Sequence, residues 1–177
     1  MVPYNPEWQN MFDNEAEFLL CTLPGSIVLR IEHFGSTAIP GLSAKPIIDI
    51  LVEVSSLEET KEQIVPLLES EGYEYFWRPP FNETSKPEEY YAWFIKRNTR
   101  GKRTHHIHMV EADSKLWDRL YFRDYLKEFP EKTGRYQELK HSLSKKYPNN
   151  RIAYTEGKAD FIVPLTEKAR QYYDSKE

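Results

Sequence analysis

The sequence predicts an α+β fold, a mixed β-sheet of about five strands with a helical C-terminal part packed on it. Three observations carry that expectation. Short runs rich in Ile, Val and aromatic residues, bounded by turn formers, recur between residues 26 and 111. Helical periodicity precedes the first run and returns after Val54. Beyond Ser114 the apolar spacing is helical throughout. With 177 residues, 40% of them hydrophobic and 14% aromatic, residues 1–177 read as one domain with ample material for a core.

In order, Asn5-Pro6 sets a cap before a first-turn proline. Trp8, Met11, Phe12, Phe18 and Leu19 then recur at helical spacing until Pro24-Gly25. Ser26–Phe34 is the first expected strand, and residues 35–45 are a loop of small residues. Pro46–Val54 is the second strand, apolar on both faces apart from Asp49 and Glu53, as in a covered central strand. Ser56-Leu57-Glu58-Glu59 is a capping box for a helix towards Glu71, in which Pro66 should kink the helix or mark a break and which Gly72 should stop. Tyr73–Arg78 is a third strand, and the polar loop 79–89 is a candidate lid. Tyr90–Arg97 and Arg103–Glu111 form a hairpin through Asn98-Thr99-Arg100-Gly101. Helices are expected at Ser114–Lys127, from Pro130 to Tyr147 and from Thr155 to Tyr173, the last disturbed by Pro164.

The net charge of −4 argues against general nucleic-acid affinity. The lone Cys21 excludes an internal disulfide and fits a reducing compartment; set among Leu19, Leu20 and Leu23, it reads as a buried, inert thiol. No apolar run approaches the roughly 20 residues of a membrane span, and Pro3, Pro6 and Glu7 do not suit a signal peptide. The expectation is a cytoplasmic protein with no membrane association.

The chemistry gathers around residues 33–52. Gly35, Ser36 and Thr37 follow a strand end, where small residues let a ligand approach and free N–H groups can cradle phosphate. Asp49, an acid in an oily strand, must be paired, hydrogen-bonded or metal-bound. It reads either as a metal ligand facing the turn or as a carboxylate holding the turn closed. His106 and His108 share a strand face, with His105 on the other. They could bind a metal, contact phosphate or act as acid and base, or they could be hydrogen-bonded sheet histidines. His33 could simply brace the turn. Lys45 could reach a phosphate as a point charge or remain a solvated lysine. By strict alternation Arg103 shares the face of His105. Trp77 and Trp93 read as core, and Tyr90 or Tyr91 could stack a base.

The string His33-Phe34-Gly35-Ser36-Thr37-Ala38-Ile39-Pro40-Gly41 with Lys45-Pro46-Ile47-Ile48-Asp49 resembles the GrpB family of the nucleotidyltransferase superfamily. The opening Tyr4 to Trp8, the run His105-His106-Ile107-His108 and the tail Tyr154, Lys158, Phe161-Ile162 share the likeness, which covers nearly the whole chain. The resemblance implies a nucleotidyltransferase-like sheet and a nucleotide or phosphorylated small molecule as partner. It also implies Mg²⁺ or Mn²⁺ at Asp49, with His106 and His108 completing a catalytic and metal site. Gly35, Ser36, Thr37, Lys45, Lys140 and Lys158 would hold phosphate; exposed helix lysines are the alternative for the last two. Members of the superfamily usually carry a second acid two residues after the first, where this chain has Leu51. Two functions are therefore expected to compete: transfer of a nucleotidyl or phosphoryl group, and binding without turnover by a degenerate relative, auxiliary to coenzyme A metabolism.

Overall fold

The computed structural model describes residues 1–80 and 86–176. Helix α1 (Glu7–Thr22) begins just after Pro6 and ends before Pro24. Five strands follow: β1 (Val28–Phe34), β2 (Ile48–Val54), β3 (Glu74–Arg78), β4 (Tyr91–Arg97) and β5 (Arg103–Val110). They form one sheet in the order β1-β2-β5-β4-β3. Only β2 and β5 run parallel; the other neighbours are antiparallel, so the sheet is mixed as expected. Between β2 and β3 the chain crosses over through α2 (Leu57–Glu59) and α3 (Val65–Ser70). Ser56 caps α2 through the Glu59 N–H at 3.2 Å. The expected single helix is interrupted by a π-helical stretch, Thr60–Ile64, which sets Pro66 at the start of α3 instead of inside a helix.

The alternation of strand residues sorts the core. One face carries Ile48, Ile50, Val52, Ala92, Phe94, Ile107 and Met109, buried against Trp8 and Leu19 of α1 and Ile64 and Leu68 of the crossover. The opposite face carries Phe34, Leu51, Tyr91, Trp93, Ile95 and Val110, packed with Leu116 and Leu120. Leu116 sits in a 3₁₀ turn, Lys115–Trp117, and Leu120 in the C-terminal part that follows, built of α4 (Asp118–Glu128), α5 (Pro130–Lys146) and α6 (Arg151–Asp174). A third cluster, Ile39, Leu42, Leu126 and Tyr136, fastens α4 and α5 to the loop between β1 and β2.

Several expectations are corrected. Helix α6 starts at Arg151, not Thr155, because the Asn150 side chain caps it through the Ala153 N–H at 3.0 Å. It runs on through Pro164 without a break. Cys21 is exposed, since α1 turns its other face to the sheet. Trp77 is also exposed; it lies on the edge strand β3, with the Lys61 ammonium 3.5 Å from its ring centre and the Tyr90 ring 6.4 Å away. Arg103 does not share the face of His105. The β4–β5 register slips between Lys96 and Arg97, so Thr104 is a bulged residue and Arg103 is redirected over Trp93. Within the loop 79–89, Pro87–Glu89 forms a 3₁₀ turn, and residues 81–85, central to the lid expectation, lie outside the described residues.

Candidate metal and anion site

Register brings the acid and the imidazoles together. Asp49 on β2 pairs with His106 on β5, and Leu51 pairs with His108. Because the two strands are parallel and in step, Asp49, His106 and His108 emerge on one face. Asp49 Oδ1 lies 3.2 Å from His106 Nδ1 and 3.9 Å from His108 Nε2. One ligand atom from each of the three lies within 4.8 Å of the others. His108 Nδ1 meets the Tyr91 hydroxyl at 2.9 Å. The Nε2 atoms of His106 and His108 are buried and have no hydrogen-bond partner among the described residues. His105 points the other way, with Nε2 3.4 Å from the Met11 carbonyl of α1.

The turn after β1 is shaped to admit the carboxylate. Gly35 has φ +73°, and a Cβ there would lie 2.6 Å from Asp49 Oδ2. Glycine is therefore required twice, for the left-handed backbone and for the close approach. His33 braces the turn through Nε2 and Thr37 Oγ1 at 3.0 Å, and it stacks on Phe12. Thr37 is buried and spends its hydroxyl on His33 and the Ile47 carbonyl. It is thus not brought to the acid–imidazole cluster, and its neighbour Ser36 is held by Lys140 instead. The Ser36 hydroxyl accepts from Lys140 Nζ at 3.0 Å, and Lys140 also reaches the Ser43 carbonyl at 2.5 Å.

Helix packing delivers the second lysine. A Cβ at Gly157 would strike Leu143 of α5 at 2.6 Å, so this glycine lets α6 lie close to α5 and sets Lys158 near Lys140. Lys158 lies over Tyr154, and the exposed Lys45 approaches the same ring. Tyr154 and Phe161 share a face of α6 with Lys158, Phe161 stacking on Tyr136.

The electrostatics follow from burial and crowding. Burial pushes the Lys140 and Lys158 ammonium groups down to about 8, helped for Lys140 by the Lys158 charge and for Lys158 by Arg119 and Lys45. Burial pushes His108 down to about 4, against the pull of Asp49. Burial opposes the charge on Asp49, yet the hydrogen bond from His106, with His108 close by, holds its carboxyl well below the usual range. At neutral pH the cluster presents an ionised carboxylate beside a neutral His108, a protonation state suited to holding a cation. The usual second-acid position is closed: Leu51 is buried among Phe34, Trp93 and Leu116. Glu53 is one pleat further along, paired in register with Arg30 and Val110.

Sequence reasoning missed two neighbours. Tyr91, considered as a base-stacking residue, instead orients His108. Arg119 on α4 lies near His108, Lys158 and Tyr136, a placement that only packing of the helical tail determines.

Fold and site define an α+β protein whose mixed sheet carries an acid–imidazole cluster beside a lysine-lined turn. A family model described as GrpB protein matches residues 1–168, and the chain belongs to the GrpB family. It is 38% identical over 163 residues to the glutamate-rich protein GrpB of Alkalihalophilus pseudofirmus, covering 92% of this chain and 90% of that one. It is 38% identical over 176 residues to a UPF0157 protein of Pseudomonas aeruginosa, covering 96% of this chain but only 66% of that longer relative. The crystal structure of conserved protein GrpB from Enterococcus faecalis matches with a TM-score of 0.79 at 31% identity, over 97% of this chain and 98% of that one. A more distant likeness, 27% over 196 residues, is to a dephospho-CoA kinase of Mycobacterium leprae, of which this chain spans 47%.

Proposed function

We propose that this chain, acting as one cytoplasmic domain, binds a nucleotide or another phosphorylated small molecule together with Mg²⁺ or Mn²⁺. We assign it to the nucleotidyltransferase superfamily, with transfer of a nucleotidyl or phosphoryl group as its reaction. The observation that carries this is the convergence of Asp49, His106 and His108 on the turn that Lys140 joins through Ser36. The donors fit a divalent ion: one ionised carboxylate, plus two buried imidazoles whose Nε2 atoms lack partners. Imidazole with carboxylate favours Mn²⁺ over Mg²⁺.

A divalent ion there would neutralise charge developing on phosphate oxygens. The chain's own groups do the rest. Tyr91 fixes His108: when its oxygen accepts from Nδ1–H, Nε2 keeps a free lone pair facing Asp49. Ser36 and the Gly35 backbone seat a phosphate, while Lys45, Lys140 and Lys158 supply positive charge. With values of about 8, Lys140 and Lys158 remain mostly charged at neutral pH, and an arriving anion would stabilise those charges further.

Leu51 favours a second reading, a binding module without turnover, since a two-carboxylate clamp cannot form. The likeness to a dephospho-CoA kinase supports, by analogy only, reading such a module as auxiliary to coenzyme A metabolism. Titration calorimetry with ATP, with and without Mn²⁺, on the wild type and Asp49→Asn separates the outcomes. Metal-enhanced ATP binding, lost in the variant, supports the proposal. Equal affinity in all four titrations would make Asp49 a structural residue. Product formation by the wild type alone selects the enzyme over the module.

A further inference from the structure

The sheet face that holds the acid–imidazole cluster continues across β4 and β3, outside the lysine-lined turn. Trp93 on β4 is opposite His108 in one register and Phe76 in the other. Its ring meets His106 edge-on at 5.0 Å and Phe76 at 5.5 Å. Two guanidiniums lie over it: Arg78 with Cζ 4.5 Å from the ring centre, and Arg103 at 5.9 Å. The bulge at Thr104 is what aims Arg103 here.

Three features of this patch call for a ligand. Neither arginine pairs with a carboxylate among the described residues, although the neighbouring Arg97 does, with Glu74 at 2.7 Å. Trp93 Nε1–H is buried and has no acceptor among the described residues, which is uncommon for a buried donor. Phe76, a large ring beside this cluster, is 42% exposed. A guanidinium held on an indole still offers its N–H edge to an oxyanion and its outer face to a planar ring.

We infer that Arg78, Arg103, Trp93 and Phe76 form a second binding site, for an anion carried on a planar aromatic ring, with a nucleoside monophosphate as the representative class. In calling this ligand the acceptor substrate, the inference rests on the proposed transfer reaction. The two sites flank the same cluster: the lysines on the helical side, the arginines on the β3–β4 side. An anion on the arginines would therefore face a phosphate seated at Ser36 across Asp49 and His106.

The test is titration of AMP and of adenosine in metal-free buffer into the wild type, Arg78→Gln/Arg103→Gln and Lys140→Gln/Lys158→Gln. The expected result is at least tenfold tighter binding of AMP than of adenosine by the wild type. That preference should fall below threefold in the arginine variant and survive in the lysine variant. Arg78→Lys/Arg103→Lys, which keeps the charges but loses the planar forks, should fall between, and circular dichroism checks that each variant is folded. An absent preference in the wild type, or one that persists in the arginine variant, overturns the inference. No metal enters this experiment, so failure of the Mn²⁺–ATP proposal would leave its outcome readable on its own.

Discussion

The two faces of the sheet are built from alternate residues of the same strands, and they solve different problems. On the face under α1, β2 presents Ile48, Ile50 and Val52, and the two histidines there are used structurally: His33 stacks on Phe12, and His105 reaches the Met11 carbonyl. On the other face the same strand presents Asp49 and Leu51, and His106 and His108 converge on the acid. The contrast teaches that a histidine's role follows from what its face is packed against. A helix supplies a fixed carbonyl or ring to satisfy an imidazole. A face only partly covered leaves the Nε2 atoms of His106 and His108 without partners, at the cost of stability that a ligand could recover.

The comparison breaks first at the dry face. Phe94 is fully buried among Ile107, Met109 and Leu68. Phe94→Ala should cost about 3–5 kcal/mol of unfolding free energy, measured by urea denaturation. On the site face, Gly35→Ala should cost roughly 1–3 kcal/mol through its positive φ. Because its Cβ would displace the Asp49 carboxylate, that variant should also lose metal-enhanced ATP binding, read by calorimetry. A Gly35→Ala protein that keeps full binding would show that the close approach of turn and acid is incidental.

One of the two histidines of the dry face, His33, gives a pH test. Burial, with the nearby Lys127 charge, pushes His33 down to about 4 from an ordinary 6.5. The folded state therefore binds this proton less readily than the unfolded chain. The stability that its neutral form contributes is complete above pH 6.5 and is lost as the pH falls towards 4. One such group changes stability by at most roughly 1.4 kcal/mol per pH unit. His33→Gln should flatten the pH dependence of urea stability in that window. A slope unchanged in the variant would assign the acid sensitivity to other groups.

Much of the fold was legible because apolar alternation and turn formers mark strands whatever they pack on. The five strands and the terminal helices follow from that local signal. The pairing of Asp49 with His106 was legible only in part. Alternation puts His106 and His108 on one face, but it does not bring β5 beside β2; that takes the crossover through α2 and α3. Arg103 was misplaced because a bulge costs one residue of register and leaves no composition signal. Cys21 and Trp77 look like core residues by type. Their exposure follows from which way a helix turns and from which strand lies at the edge, and neither is local. Tyr91 and Arg119 were invisible as site neighbours for the same reason.

The smallest expected effect sharpens the comparison most, because it sets adjacent residues of one strand against each other. Tyr75 and Phe76 on β3 face opposite ways. Tyr75 is half-buried, packs on the dry core and lies 5.4 Å from the Phe94 ring. Phe76 lies a similar 5.5 Å from Trp93 but is the more exposed of the two. Ring contact alone predicts equal losses on truncation, whereas area removed from water predicts a clear difference. Tyr75→Ala should cost roughly 1–2 kcal/mol and Phe76→Ala less than about 1 kcal/mol. For a chain of this size each kcal/mol lowers the melting temperature by about 2–4 °C, so calorimetry resolves the two variants. Phe76→Ala should nonetheless weaken AMP binding, which Tyr75→Ala should not. Equal stability losses would mean that β3 is held by its ring contacts rather than by burial. An unchanged AMP affinity in Phe76→Ala would remove the ring from the second site and leave only the arginines to hold the anion.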